Sequence, residues 1–175
     1  MIRLIVIAFV VFPMLWHQPS LGQTASQVVE HVDRIFVIRR TLTGDAAIKR
    51  GDLAHSALLL RTKDENWYVL EFMRDSNVYL TRTEQQVVQE HTKESWAEVK
   101  LKGRYFRSLV GEDPPIEKQL VWTRQLKGES IEAKFTPQQL KEQMEAVVKK
   151  YSLLKGEHCH KAQEHLRKSL GLKVD

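Results

Sequence analysis

Ala54-His-Ser-Ala-Leu-Leu-Leu-Arg-Thr-Lys-Asp-Glu-Asn-Trp-Tyr-Val-Leu-Glu-Phe-Met73 holds two apolar runs around a short polar break. Its first part, Ala54 to Arg61, is apolar enough for a central strand. Its last part, Trp67 to Met73, is rich in aromatic residues and reads as another strand. Only Lys63-Asp-Glu-Asn66 separates them, so the two pair as an antiparallel hairpin. Two polar residues stand out in these runs. His55 sits at the mouth of the first strand. Glu71 interrupts the second, which is costly for a carboxylate unless it is paired or faces solvent. Strand alternation can set both on one face.

Working outward, Asp33-Arg-Ile-Phe-Val-Ile-Arg-Arg40 reads as a half-buried strand, preceded by a short helix over 24–31. Asn77-Val-Tyr-Leu-Thr-Arg-Thr83 reads as a strand after the hairpin. Residues 84–134 are legible only in patches. Val99-Lys-Leu-Lys-Gly103 and Lys118-Gln-Leu-Val-Trp-Thr-Arg-Gln-Leu126 alternate like strands, and Glu112-Asp-Pro-Pro115 is a loop.

Thr136-Pro-Gln-Gln139 then opens a helix, with Thr136 as N-cap, Pro137 at the first helical position and Gln139 closing a capping box. Leu140, Met144, Val147, Val148 and Tyr151 recur on one face, and Gly156 is the expected stop. A second helix runs from about Cys159 to Gly171, with Ala162, Leu166 and Leu170 as its apolar stripe and glycine again at the stop. No repeat or linker divides the chain. The fold class expected is α+β, an antiparallel sheet packed against C-terminal helices.

The chain has 175 residues, enough for one domain with a core. Its start lies outside that domain. Met1-Ile-Arg-Leu-Ile-Val-Ile-Ala-Phe-Val-Val-Phe12 is a short cationic start followed by an apolar run, with Ser20 and Gly22 as small residues near a cut. That is the layout of a signal peptide over 1–22, and the run is short for a membrane span of roughly 20 residues. An uncleaved anchor and a buried N-terminal element are the alternatives. The single domain then covers 23–175, secreted or periplasmic, with no stable membrane insertion after cleavage. Losing Arg3 lowers the formal charge from +5 to +4. Basic and acidic residues alternate without an arginine-rich stripe or aromatic-basic interleaving, so no nucleic acid is expected as a partner.

The sequence holds one cysteine, Cys159, in Tyr151-Ser-Leu-Leu-Lys-Gly-Glu-His-Cys-His-Lys-Ala162. It cannot form an internal disulfide, and an unpaired cysteine in an oxidising compartment suggests a reactive thiol or an intermolecular partner. At a helix N-terminus the free N–H groups and the dipole stabilise a thiolate. A histidine held nearby could take its proton, and His55 is the candidate. The polar flanks Glu157, His158, His160 and Lys161 argue against deep burial of the thiol. His158 and His160 bracket the cysteine, but neighbouring positions point apart and a structural zinc needs four ligands, so no metal is expected. His158 could add a donor for an oxyanion, though solvation explains it as well. Arg50-Gly-Asp52 spells an adhesion tripeptide that a turn before the strand explains adequately.

The order of strand-borne histidine, acidic residue on the next strand and helix-opening cysteine resembles the circularly permuted papain-like superfamily. That group includes permuted NlpC-type cell-wall peptidases, lecithin retinol acyltransferase-like enzymes and desumoylating isopeptidases. The resemblance covers residues 33–171. It rests on Gly51-Asp-Leu-Ala-His-Ser-Ala-Leu-Leu-Leu60 with Trp67-Tyr-Val-Leu-Glu71, and on the tyrosine–leucine lead into the cysteine. His158 stands where many members carry asparagine, and Trp67 where the acyltransferase branch places a second histidine.

The resemblance implies Cys159 as nucleophile, His55 as general base and Glu71 as the group that orients the imidazole. The function expected is a secreted thiol hydrolase, a peptidase or amidase first, cleaving an amide or ester in a peptide, cell-wall or lipid substrate with no cofactor. A non-enzymatic secreted binding module and a lipid acyltransferase or esterase remain open beside it.

Overall fold

The computed structural model describes residues 29–41, 54–91, 95–107, 113–152 and 156–174. The segment 1–22 read as a signal peptide, most of the expected helix over 24–31, Arg50-Gly51-Asp52 and Glu112 lie outside the described residues. Val29, Glu30 and His31, the described end of that segment, are not helical.

Among the described residues, eight strands precede two helices: β1 (Val32–Thr41), β2 (Ala54–Thr62), β3 (Trp67–Phe72), β4 (Val78–Thr83), β5 (Gln86–His91), β6 (Trp96–Tyr105), β7 (Ile116–Gln125), β8 (Glu129–Ser130), α1 (Pro137–Val147) and α2 (Cys159–Ser169). The chain is α+β, with every strand pair antiparallel. The sheet order is β4-β3-β2-β1-β7-β6-β5, and β8 joins β1. The hairpin forms as its sequence predicts, Leu58 facing Leu70 and Arg61 facing Trp67.

The sheet curls on itself. The Lys102 N–H of β6 donates to Thr83 Oγ1 of β4 at 2.9 Å, and the Arg104 N–H of β6 donates to Glu71 Oε1 of β3 at 3.1 Å. These links join strands that lie well apart in the sheet order. Alternation then gives two cores. Phe36, Ile38, Ala57, Leu59, Val69 and Trp122 fill the inside of the curl. Val37, Leu58, Leu60 and Leu70 face the other way and pack on Leu140 and Met144 of α1 and Leu166 of α2. Burying such side chains contributes about 2 kcal/mol each.

Thr136 and Gln139 form the expected capping box and Pro137 opens α1. The helix ends sooner than its apolar stripe implies. Val148 is its C-cap with extended backbone, and its N–H donates to Met144 O. Tyr151 therefore belongs to the connection, not to the helix. The two-residue β8 and β5 are strands the sequence did not announce. β5 carries a bulge between Val87 and Gln89 that breaks alternation, and Val87 and Val88 are both exposed. α2 matches expectation: Leu170 is its C-cap and Gly171 follows with φ 73°, the left-handed conformation glycine adopts without strain.

Candidate active site

The site is built where β3 leaves β2. The ladder between them runs only from Leu58–Leu70 to Arg61–Trp67. Ala54, Ser56 and Leu58 turn their backbone groups to the same side of β2, so the first two have no strand to pair with there. The start of α2 takes them. The His160 ring donates from Nε2 to Ala54 O at 2.7 Å, and the Ser56 N–H donates to the Cys159 sulfur. The helix that Cys159 opens is docked by bonds that a strand would otherwise make.

His55 and Glu71 lie on the inner face of the curl, as alternation allows. The His55 Nε2 is 2.9 Å from Glu71 Oε2. The other carboxylate oxygen accepts the Arg104 N–H. With Nε2 engaged, Nδ1 is the nitrogen left for the Cys159 thiol, with which the imidazole hydrogen-bonds. Trp122 flanks the ring, centroids 5.8 Å apart. The three residues singled out from sequence therefore converge in the line Glu71–His55–Cys159.

Burial is where expectation fails. Polar neighbours argued for a partly exposed thiol, yet Cys159 is only 5 % exposed. It is the first position of the helix face that continues through Ala162, Gln163 and Leu166, all buried. The i, i+3, i+4, i+7 spacing carried that information, and the polar flanks occupy the other faces. His55 is 5 % exposed and Glu71 is fully buried. His158 is half-buried, with its Nδ1 shut off from solvent and without a hydrogen-bond partner, so solvation does not describe it. Its ring meets His160 edge-on at 5.5 Å.

The electrostatics favour an ion pair. Burial works to raise the Cys159 thiol, but the His55 hydrogen bond and charge, the Ser56 N–H and the Tyr151 hydroxyl outweigh it and lower it below the usual thiol value. Burial likewise works to lower His55, while Cys159 and Glu71 outweigh it and raise the imidazole. Both directions point to a thiolate facing an imidazolium. His160 goes the other way, lowered chiefly by burial, which suits a neutral ring.

Two contributors escaped the sequence. Tyr151, read as part of a helix stripe, packs on Phe72 with centroids 5.3 Å apart and directs its hydroxyl at Cys159. Burial and the thiolate push that hydroxyl up to about 12. Arg40 is the second. Phe36, Ile38 and Arg40 recur at period two on the inner face, which marks Arg40 as buried even from sequence. It pairs in register with His55.

Among the described residues no group of three or more histidine, cysteine or acidic side chains could hold a metal, and no helix is long and apolar enough to cross a membrane. No family model, curated protein or solved structure matches the chain.

Proposed function

We propose that this chain is a thiol hydrolase acting on an amide or ester carbonyl, with the permuted papain-like arrangement of strand histidine, next-strand acid and helix-opening cysteine. The observation that carries it is the buried line from Glu71 through His55 to Cys159 at the N-terminus of α2. A carboxylate that fixes Nε2 leaves Nδ1 facing the sulfur, which is the geometry of an activated nucleophile.

The Cys159 thiolate attacks the carbonyl carbon, and negative charge collects on the carbonyl oxygen. The Cys159 backbone N–H, at the open start of α2, can stabilise that charge. The tetrahedral species collapses to a thioester as the C–N or C–O bond breaks, and His55 gives its proton to the leaving amine or alcohol. His55 then takes a proton from water, whose hydroxide attacks the thioester. The acid product leaves and the thiolate and imidazolium are restored. Glu71 holds the ring and offsets its charge. The substrate class is a peptide, a cell-wall amide or a lipid ester, met outside the cytoplasm if the segment 1–22 is a signal peptide.

The test is acyl-enzyme capture. The full chain is mixed with p-nitrophenyl esters of short acyl chains and of amino acids, and its intact mass is followed with time. Acyl adducts confined to Cys159 that then hydrolyse support the reading. An adduct that persists unchanged in Cys159→Ala, or none with any ester, overturns it.

A further inference from the structure

We propose that Arg40 is a positioning residue that makes the buried site electrically neutral, and that the thiolate of Cys159 depends on its charge. The inference rests on the thiol-hydrolase reading and extends it to a fourth residue. Arg40, His55, Glu71 and Cys159 are all at most 8 % exposed. In the ion-pair state thiolate, imidazolium and carboxylate sum to one negative charge, which is costly to hold out of water. One buried cation cancels it.

Arg40 is placed to do this. Cross-strand pairing puts it on the same face as His55. Its guanidinium lies over Trp122, 5.0 Å from the ring centroid, and 5.7 Å from that of Tyr105. Nη2 donates to Arg104 O at 2.7 Å, and the N–H of that same residue donates to Glu71. One residue's backbone thus ties the cation to the carboxylate. The Arg40 Nε is buried without a hydrogen-bond partner. Local bonds alone are a thin return for burying a guanidinium, so the surrounding anions must contribute. The charged and titratable groups facing it are Glu71 from β3, Cys159 from α2, Tyr105 from β6 and His55 from β2. Beyond these, Lys118 of β7 sits on the Tyr105 ring, and Arg74 stands behind Tyr151. The Arg104 side chain is spent elsewhere, on Glu117 and over Tyr79.

The experiment measures alkylation of Cys159 by iodoacetamide against pH in the folded full chain, with folding checked by circular dichroism. Arg40→Met should move the midpoint up by about one pH unit, because the thiolate loses a cation. Arg40→Gln keeps a donor for the Arg104 carbonyl but drops the charge, so the same shift is expected there, and it serves if the Met variant does not fold. Arg40→Lys should keep the wild-type midpoint. An unmoved midpoint in Arg40→Gln, or an equal upward shift in Arg40→Lys, overturns the proposal while the hydrolase reading stands. A wild-type midpoint at the ordinary thiol value overturns the thiolate, and the hydrolase reading with it.

Discussion

The two C-terminal helices have equal length and opposite beginnings. α1 spends its first donors at once: Thr136 Oγ1 accepts the Gln139 N–H at 3.1 Å, Gln139 Oε1 accepts the Thr136 N–H at 2.9 Å, and Pro137 has no N–H to satisfy. α2 starts at His158, whose side chain makes no cap bond, and its first helical residue is the thiol Cys159. A helix start has several orphan N–H groups and a partial positive charge. In α1 they are closed off by a cap, which serves stability. In α2 no N-cap side chain closes them, and the thiol beside them has its pKa lowered. On the proposed reading, the uncapped start of α2 exchanges stability for reactivity, and the contrast can be attacked from both sides.

The largest effect belongs to the open end. Cys159→Ala should lower turnover by about a thousandfold or more while the chain stays folded. The thiol proves buried, so the truncation removes some packing, at a cost of about 1 kcal/mol. Steady-state rates and a urea melt check both halves. A variant that unfolds outright would make Cys159 a core residue and end the contrast.

His55→Ala comes next. In the wild type the thiolate is present above its depressed pKa and is lost as pH falls through that value. Alkylation therefore persists below the pH at which an ordinary thiol, of pKa about 8.5, stops reacting. Without His55 the lower limb should move up towards that ordinary value and the rate at pH 7 should fall about tenfold or more. Glu71→Gln should be milder in turnover than loss of the nucleophile by one to two orders of magnitude, roughly the gap expected between an orienting group and a reacting one. If it is as severe as Cys159→Ala, the carboxylate does more than hold the ring.

At the closed end, Thr136→Ala should cost about 1 kcal/mol of stability and leave the alkylation rate unchanged. A thermal melt and the same iodoacetamide assay decide it. Loss of reactivity would mean that the start of α1 is coupled to the site through α2, whose Ala162 and Leu166 share its core cluster.

The same contrast explains what was legible beforehand. The start of α1 is written in local side chains, so Thr136, Pro137 and Gln139 announce it. The β2–β3 hairpin is written in a short turn and two apolar runs. The line of Glu71, His55 and Cys159 is legible from residue type and order, although Glu71 precedes Cys159 by 88 residues and His55 by 104. Other features depend on tertiary context. Tyr151 leaves the helix stripe because α1 ends at Val147, and only the fold carries its hydroxyl to Cys159. β5 is not legible in the sequence because its bulge and exposed valines erase the period of two. Cys159 looked exposed because its neighbours in sequence are polar, whereas its neighbours on the helix face are buried.

The smallest change tests the contrast most directly: giving α2 the cap that α1 has. His158→Ser places a hydroxyl at the N-cap, where it can accept the N–H of His160 or Lys161. That should raise stability by about 0.5 kcal/mol. The Cys159 N–H precedes those two, so the substituted cap does not consume it, and any oxyanion donor survives. The hydroxyl does offset part of the positive end of the helix felt by the thiolate, so alkylation at pH 7 should slow, by about two- to threefold. The exchange of reactivity for stability is the expected signature. If His158→Ser stabilises the chain with no slowing, the open start of α2 does not serve the thiolate, and His55, the Ser56 N–H, the Tyr151 hydroxyl and Arg40 hold it without the helix.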